Sequence, residues 1–247
     1  MGKLDNKIAL VTGAARGIGR SIAERLAADG AHVIVNYVRS EAEAAKLAEH
    51  IRAGGGSASI VGADLSDLAA IDTMFETIAA DYPQIDILIN NAGRGSNGMP
   101  TLEASTPEDF DRLVGLNMRG LFFVTQRAVR MMRDGGRIVN ISSTTTLARV
   151  PGLSIYAGTK AAVEAFTRIW SVELASRRIT VNAILPSITE TDLIANLPPE
   201  MIRTVIESIP LGRIGLPRDI ANAVAFFVSD DGEWITGQNL VSAGGAA

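Results

Sequence analysis

The sequence contains no cysteine and only two histidines. Without cysteine the chain can form no disulfide, no thiolate nucleophile, no iron–sulfur cluster and no cysteine-ligated zinc site. The two histidines, His32 and His50, lack the spacing that places two metal ligands on one face of a helix. We therefore expect no metal site, and proton transfer must rest on other side chains.

The sequence also has no excess of positive charge and no long hydrophobic run. It carries 23 lysines and arginines against 27 acidic residues, a formal net charge of −4. No basic surplus is therefore available for nucleic acid or anionic lipid. The longest apolar run, 223–228, is too short to cross a bilayer, and the N-terminus lacks the pattern of a secretory signal. We predict a soluble, cytoplasmic protein that binds small molecules or proteins, with no nucleic acid and no membrane as partner.

Short apolar runs rich in β-branched residues alternate with helical patterns along all 247 residues. Apolar runs without polar alternation are typical of strands covered on both faces, and their alternation with helices predicts a parallel sheet. The predicted strands span 8–11, 33–35, 59–61, 85–89, 137–141, 180–185 and 239–241. The predicted helices span 19–28, 42–52, 68–80, 107–133, 155–175 and 218–228. The fold class is α/β, a doubly wound, seven-stranded parallel sheet flanked by helices, in a single domain over 1–247.

The segment 186–217 departs from this rhythm. It holds several prolines and glycines around a short apolar helix, predicted over 201–206. Long loops inside compact domains usually carry function. We therefore expect this segment to be a substrate-binding loop or lid.

A glycine-rich stretch directly follows the first predicted strand and precedes a helix. It reads TGAARGIG over 12–19, with Gly13, Gly17 and Gly19. Glycine permits the tight turn and lets the backbone approach a pyrophosphate, which would face the positive end of the helix dipole. This context predicts a dinucleotide site, although a glycine turn without a ligand is the simpler alternative.

The end of the second strand indicates which dinucleotide is bound. An NAD-binding protein usually has an acid there, about 20 residues beyond the glycines, that binds the ribose 2′-hydroxyl. This chain instead has Asn36, Tyr37, Val38, Arg39 and Ser40. Arg39 and Ser40, with the nearby Arg16, could hold a 2′-phosphate, so we favour NADP(H). The alternative is that both arginines are solvated surface cations.

Tyr156 and Lys160 stand four residues apart and would be adjacent on one helix face. A free tyrosine has a pKa of about 10, and a neighbouring cation lowers it toward the range where the phenol can exchange a proton. Taken alone, this spacing is common by chance, and an exposed helix pair would ordinarily be the favoured interpretation.

Several motifs in order resemble the short-chain dehydrogenase/reductase family: TGAARGIG at 12–19, NNAG at 90–93, Asn117, Ser143 and YAGTK at 156–160. The resemblance is closest to β-ketoacyl-acyl-carrier-protein reductases and related ketone reductases. It implies a Rossmann fold and an NADPH-dependent enzyme that reduces a ketone to a secondary alcohol. It also implies four catalytic residues. Tyr156 would be the general acid, Ser143 would bind the substrate oxygen, Lys160 would tune the tyrosine and orient the nicotinamide ribose, and Asn117 would support a proton-relay water.

The resemblance implies further cofactor contacts beyond the glycine turn. The complete expected set is Gly13, Arg16, Gly17, Ile18, Gly19, Tyr37, Arg39, Ser40, Asp64, Leu65, Asn91, Ala92, Gly93, Tyr156, Lys160, Pro186, Ile188, Thr189 and Thr191. The two threonines could instead cap turns. The chain departs from the family pattern at Ser187 and Ala243, where glycine and aspartate are common.

Substrate contacts are expected from Ser96, Leu147, Val150, Leu153 and the 186–217 segment. Arg149 could attract an anionic group or could be a solvated cation. A helix that is apolar around most of its circumference, predicted over 155–175, favours burial against a partner. With the resemblance, this predicts a homotetramer.

Three alternatives remain open at this stage. One is a β-ketoacyl-acyl-carrier-protein reductase, for which a basic surface is needed; the candidates are Arg127, Arg130, Arg133 and Arg177. The second is a non-catalytic NADP-binding sensor. The third is a Rossmann-type methyltransferase, which would leave the Tyr156–Lys160 pair unexplained.

Overall fold

The computed structural model describes residues 2–96, 98–190 and 199–246. These residues form one parallel sheet of seven strands in the order β3-β2-β1-β4-β5-β6-β7. The strands are β1 (Ile8–Val11), β2 (His32–Tyr37), β3 (Ser57–Gly62), β4 (Ile85–Asn90), β5 (Met132–Ile141), β6 (Thr180–Pro186) and β7 (Asn239–Ser242). The predicted doubly wound sheet is confirmed. The strand order reverses between β1 and β4, which is where ligands bind in such sheets.

Eight α-helices connect or flank these strands in the described part of the chain. They are α1 (Gly17–Ala28), α2 (Glu41–Ala53), α3 (Leu68–Asp81), α4 (Pro107–Val114), α5 (Leu121–Met131), α6 (Ser154–Glu173), α7 (Pro199–Glu207) and α8 (Pro217–Val228). The hydrophobic core under α1, α2 and α8 lies on one face of the sheet. A second core under α3, α5 and α6 lies on the other. None of these described helices is long and apolar enough to cross a membrane.

The two cores explain why the strands read as continuous apolar runs. Successive strand side chains point to opposite faces. In β1, Ala9 and Val11 therefore enter the core beneath α1, whereas Leu10 enters the core beneath α3. All three are fully buried. A strand covered on both faces has no polar positions, as the sequence pattern indicated.

The helix predicted over 107–133 is wrong in two respects. It is interrupted by one π-helical segment, Gly115–Gly120, between α4 and α5. A Cβ at Gly120 would lie 2.1 Å from the carbonyl oxygen of Leu65, so a glycine is needed where the two backbones meet. The helix then ends at Met131, because Met132 already pairs with Ile85 at the start of β5 before a register irregularity. Periodicity alone does not reveal either feature.

The segment 186–217 is described only in part. Residues 191–198, which include the predicted cofactor contact Thr191, lie outside the described residues. After β6, Thr189 forms a parallel bridge with Gly215, and Glu190 N donates to the carbonyl of Gly215 at 2.7 Å. The short helix predicted over 201–206 is present, with wider bounds, as α7.

A chain of buried polar side chains crosses the middle of the sheet. Asn90 Nδ2 donates to Thr125 Oγ1 and to Asn140 Oδ1, both at 2.8 Å. Asn140 Nδ2 in turn donates to Thr167 Oγ1 at 2.9 Å. Buried polar groups are costly unless they are bonded, and a satisfied network specifies one arrangement. This network fixes α5 and α6 on the ends of β4 and β5.

We expect Asn140→Ala to lower the free energy of unfolding by about 2–3 kcal/mol, because Asn90 and Thr167 then each lose a buried hydrogen-bond partner. Urea denaturation measures this difference. The matched control is Asn239→Ala on β7, where the Asn239 Oδ1 is buried but has no hydrogen-bond partner among the described residues. Equal losses in the two variants would contradict the role assigned to the network.

Candidate active site

The glycine turn joins the carboxyl end of β1 to α1. Gly13 has a φ of +61°, and a Cβ there would lie 2.9 Å from the Cα of Ala92. Its N–H donates to the side-chain oxygen of Asn36 at 3.1 Å, and Ala14 N donates to the Asn36 carbonyl at 2.9 Å. Asn36 is fully buried at the end of β2. Sequence reasoning did not assign Asn36 a role, because Asn36 followed the strand predicted over 33–35; the structure extends that strand to Tyr37.

Thr12 and Asn91 connect this turn to the loop after β4. The Thr12 hydroxyl accepts from the N–H groups of Asn91 and Ala92, at 2.9 and 3.0 Å. The Asn91 amide donates to the carbonyls of Thr12 and Gly13, at 2.8 and 3.1 Å. The crevice expected between β1 and β4, where the strand order reverses, is therefore flanked by two loops that are hydrogen-bonded to each other. The first turn of α1, with Gly17, Ile18 and Gly19, follows this glycine turn and is the positive end of the helix dipole.

The loop after β2 forms the next part of the crevice. Arg39 is exposed there, and Ser40 directly precedes α2. The ring of Tyr37 packs on β3, since a Cβ at Gly62 would lie 3.2 Å from the Tyr37 hydroxyl. Tyr37 therefore shapes the end of β2, and Arg39 supplies the exposed charge at this position. Arg16 is also exposed, at the start of α1.

Asp64 interacts with the positive charges of Arg94 and Arg39. Burial disfavours the Asp64 carboxylate, but hydrogen bonds from the Ser66 N–H and hydroxyl, together with the charges of Arg94 and Arg39, outweigh it and lower the pKa of Asp64. The Arg94 guanidinium is 3.6 Å from the carboxylate. Asp64 is thus held as an anion at the crevice edge. The neighbouring Leu65 side chain is buried in the core, so only its backbone can face the crevice.

Asn117 lies on the π-helical segment and joins the loop after β4 to α6. Its amide oxygen accepts from Arg94 N at 2.8 Å, and its amide nitrogen donates to the Arg94 carbonyl at 2.9 Å. The same nitrogen donates to Thr159 Oγ1 at 3.3 Å. A Cβ at Gly93 would lie 3.5 Å from both Asn117 Oδ1 and Lys160 Nζ. The π-helical turn therefore aims Asn117 at the backbone beside the predicted catalytic lysine.

Tyr156, Ser143 and Lys160 come together at the carboxyl end of β5. The Lys160 Nζ lies 5.8 Å from the centre of the Tyr156 ring. Burial raises the pKa of the Tyr156 phenol, and a hydrogen bond with Ser143 partly offsets this. The net direction is opposite to the lowering that the Tyr–Lys spacing predicted. A raised pKa keeps the phenol protonated near neutral pH, which is the form that a proton donor needs.

Lys160 is a buried cation. The residue is 5% exposed, and Nζ donates to the carbonyl of Ile141, the last residue of β5, at 2.8 Å. Burial lowers the pKa of Lys160 to about 8, and the Glu164 carboxylate opposes the decrease. Glu164 is itself held, because Ser142 Oγ donates to it at 2.7 Å. Sequence reasoning missed Ser142 and Glu164, although their place beside Ser143 and one turn after Lys160 could have suggested them.

Two of the predicted cofactor contacts, Pro186 and Thr189 near the end of β6, form local hydrogen bonds. Thr189 Oγ1 donates to the carbonyl of Ser187 at 3.0 Å, which agrees with the turn-capping alternative. The carbonyl of Pro186 accepts from Thr144 Oγ1 at 3.3 Å, and Ile188 is exposed. In the described residues no three acidic or histidine side chains converge as metal ligands would.

An apolar pocket of about 390 Å³ adjoins the catalytic residues. Its lining residues include Thr145, two residues after Ser143, and Ala157, next to Tyr156. Val150 and Leu153 line the pocket as expected for substrate contacts, and Arg149 is at its edge. Leu147, another predicted substrate contact, is exposed and lies close to these residues in the sequence. Ser96 Oγ donates to the Gly152 carbonyl at 3.3 Å, so it joins the loop after β4 to this wall.

We expect Lys160→Met to raise the free energy of unfolding at pH 7 by about 3 kcal/mol or less, because it removes a buried charge. Since the pKa of Lys160 is about 8 when folded and ordinary when unfolded, wild-type stability should rise relative to the variant as pH increases from 8 to 10.5. Urea denaturation across that pH range measures the difference in free energy of unfolding between the variant and the wild type. A difference in the free energy of unfolding that stays constant with pH would show that burial of the ammonium does not destabilise the folded protein.

Comparison with known proteins identifies the family of this chain. The family model described as enoyl-(acyl carrier protein) reductase matches residues 13–247. Versicolorin reductase 1 of Aspergillus parasiticus is 40% identical and is aligned over 99% of this chain and 97% of its own length. Short chain dehydrogenase claC of Passalora fulva is 39% identical and is aligned over 100% of this chain and 96% of its own length. The structure of the angucycline C-6 ketoreductase LanV with bound NADP has a TM-score of 0.94 and 41% identity, covering 99% of this chain and 97% of that chain. The chain belongs to the short-chain dehydrogenase/reductase family, whose relatives here are named reductases and dehydrogenases, and it is an oxidoreductase of that family.

Proposed function

We propose that the protein is an NADPH-dependent reductase that converts a ketone to a secondary alcohol, with Tyr156 as the general acid. The observation that carries this proposal is the meeting of Tyr156, Ser143 and Lys160 beside the dinucleotide-type crevice and an apolar pocket. A proton donor, a second hydroxyl for the growing oxyanion and a buried cation are the groups that carbonyl reduction requires.

The residues of the crevice fit NADP(H). The pyrophosphate would lie at the glycine turn and the first turn of α1, where backbone N–H groups and the helix dipole favour negative charge. The exposed Arg39 and Arg16 and the polar Ser40 suit a 2′-phosphate. LanV, which is 41% identical, was solved with NADP. When bound, the reduced nicotinamide supplies the hydride.

The chain's own residues manage the proton and the oxygen. Tyr156 gives its phenol proton to the carbonyl oxygen, and its raised pKa holds that proton until charge develops on the oxygen. Ser143 donates a hydrogen bond to the same oxygen. Lys160 then stabilises the tyrosinate that is left. Asn117 has a positioning role, because its hydrogen bonds hold Arg94 and Thr159 beside Lys160.

A small, free carbonyl compound is the substrate that the pocket supports best. Its lining includes the apolar Leu153 and Ala157, which precede and follow the catalytic tyrosine in the sequence, and the exposed Val150 and Leu102. The relatives named versicolorin reductase and angucycline C-6 ketoreductase favour a ring ketone. Residues 186–190 and 199–217, on either side of Thr191 and its neighbours, complete the proposed substrate-binding segment.

A carrier-bound substrate is supported less well. The arginines that sequence analysis offered for carrier docking lie near the amino ends of the strands, opposite to the catalytic residues, where α5 ends and β5 begins. Arg127 is bonded to Asp72 at 2.8 Å and Arg177 to Asp134 at 2.9 Å, while Arg133 bonds Gln84. A non-catalytic sensor would have no need of the buried Lys160, whose burial lowers its pKa.

We also infer a homotetramer. On α6 the side chains of Ile169 and Val172 are 59% and 75% exposed, although Val163 and Trp170 of the same helix are buried. Exposed apolar residues on one helix face are typical of a protein contact. A cytoplasmic location stays a prediction from the sequence.

The proposed reaction is tested by following NADPH oxidation with a panel of cyclic ketones, diketones and β-ketoacyl thioesters. We expect turnover with the cyclic ketones. Tyr156→Phe should retain NADPH affinity and lose turnover by about 100-fold or more, because only the proton donor is removed. Undiminished reduction by this variant would exclude Tyr156 as the acid, and NADPH binding without turnover of any ketone would favour the sensor.

Cofactor preference is tested at the end of β2. We expect Arg39→Ala to lower the ratio of kcat/KM with NADPH to kcat/KM with NADH by about tenfold to 100-fold, since a charge-assisted hydrogen bond to the 2′-phosphate is lost. The matched control is Arg52→Ala at the other end of α2, where the guanidinium bonds the Ala58 carbonyl. An unchanged ratio for Arg39→Ala would leave the arginine as a solvated surface cation.

A further inference from the structure

Arg149 is the one charged residue among the described residues that line the apolar pocket. The others carry an apolar side chain, a hydroxyl or, for glycine, no side chain. Ligand pockets that are mostly apolar fix the orientation of a ligand with a few polar or charged groups, and those groups set the selectivity. Arg149 is therefore the residue through which this pocket can select a ligand by its charge.

The guanidinium of Arg149 is available to a ligand. The residue is exposed and forms no ion pair or side-chain hydrogen bond with any described residue. Two arginines of neighbouring elements are held by the protein instead. Arg94 is 3.6 Å from the Asp64 carboxylate, and Arg112 donates to the Gly95 carbonyl at 3.3 Å. An arginine stem can lie along apolar surface while its charged end stays accessible, so the guanidinium of Arg149 can meet a ligand that enters the pocket.

The exposed surface around Arg149 is largely apolar. Two other residues of the pocket, Leu102 and Val150, are 83% and 43% exposed, and Leu147 on the same loop is 57% exposed. A ligand that covers these side chains removes water from the guanidinium, and charges attract each other more strongly beside such a surface than in water. An anionic group on the ligand would then pair with the guanidinium, whereas an uncharged ligand would leave this cation partly desolvated and unpaired.

Arg149 also lies on the loop that connects the catalytic groups. It stands between Ser143 and Tyr156 in the sequence. Thr145 and Ala157, which are close to these two residues in the sequence, line the pocket, but Ser143 and Tyr156 themselves do not. A ketone whose oxygen contacts Ser143 and Tyr156 can thus extend into the adjoining pocket. Arg149 would contact a part of that ketone other than the reacting carbonyl.

We propose that Arg149 binds a carboxylate on the substrate, so that the enzyme prefers ring ketones that carry a carboxylate away from the reacting carbonyl. This inference rests on the proposed ketone reduction and names the substrate class of that site. The planar guanidinium matches a carboxylate with two parallel hydrogen bonds, and one arginine neutralises the single charge of that group. Arg149 acts as a specificity-determining residue, and Ser143 and Tyr156 retain the chemistry.

The test compares isomeric α-tetralones that carry a carboxylate on the aromatic ring with their methyl esters, in the wild type and in three variants. Arg149→Gln removes the charge, and Arg149→Lys keeps the charge without the planar fork. Arg178→Gln is the matched control, because Arg178 is also exposed but lies just before β6, at the amino end of that strand. The measured quantity is the ratio of kcat/KM for each acid to kcat/KM for its ester at saturating NADPH. This ratio cancels any general effect of a substitution on turnover.

We expect the wild type to prefer at least one acid over its ester by about fivefold to tenfold, the value of an ion pair that is partly shielded from water. Arg149→Gln should lose this preference, Arg149→Lys should keep part of it, and Arg178→Gln should keep all of it. Raising the salt concentration from about 0.1 M to about 1 M should weaken it, because the screening length falls from about 10 Å to about 3 Å. No preference in the wild type, a preference that persists in Arg149→Gln, or an equal loss in Arg178→Gln would overturn the inference.

A second measurement separates this inference from the proposed reaction. Dissociation constants of the same acids and esters are measured at saturating NADP⁺, with which no reduction occurs. An Arg149-dependent preference for binding the acid, without turnover of any ketone on NADPH, would retain the inference and refute the proposed reaction. Turnover of acid and ester with equal kcat/KM, and equal binding of the two, would retain the proposed reaction and refute the inference.

Discussion

The hydrogen bond between Asn90 and Asn140 lies at the centre of the molecule, and the active site depends on it. Each of these side chains also forms a hydrogen bond with a threonine on a helix. These bonds hold α5 and α6 in position on two adjacent strands. The helix α6 carries Tyr156 and Lys160, and the π-helical segment that leads into α5 carries Asn117. Apolar packing tolerates small shifts in these helices, whereas a buried amide network has few alternative bonded arrangements. The catalytic geometry therefore follows from polar contacts placed beneath it in the core.

Lys160 shows the opposite balance between stability and chemistry. Its ammonium is buried and donates to the carbonyl of Ile141, and burial lowers the pKa of Lys160 to about 8. Such a charge is unfavourable for folding unless it is compensated. Glu164, held by Ser142, provides compensation from one side and Ile141 from the other. A cation that is poorly solvated before the reaction interacts strongly with a phenolate formed beside it, so the same burial that weakens folding favours the proposed proton transfer.

Most of the architecture could be predicted from sequence because it depends on local patterns. The apolar strands, covered on both faces, alternate with helices, and Gly13, Gly17 and Gly19 follow the first strand. The helix over 107–133 could not be resolved in this way. Its π-helical interruption contains Gly120, which packs closely against the backbone of Leu65, and these two residues are far apart in the chain. The direction of the Tyr156 pKa was also unpredictable, because spacing reveals a neighbouring cation and does not reveal how deeply the phenol is buried.

The sequence by itself determined the order of the elements, the residues available for proton chemistry and the absence of cysteine chemistry. Its resemblance to a known family then selected Asn117, Ser143, Tyr156 and Lys160 from that set. Only the tertiary structure decided which other groups stand beside them: Asn36 under the glycine turn, Arg94 between Asp64 and Asn117, and Thr145 in the pocket wall. The reason is physical. Local propensity acts over a few residues, whereas burial and the satisfaction of a polar group depend on partners that the fold brings from distant parts of the chain.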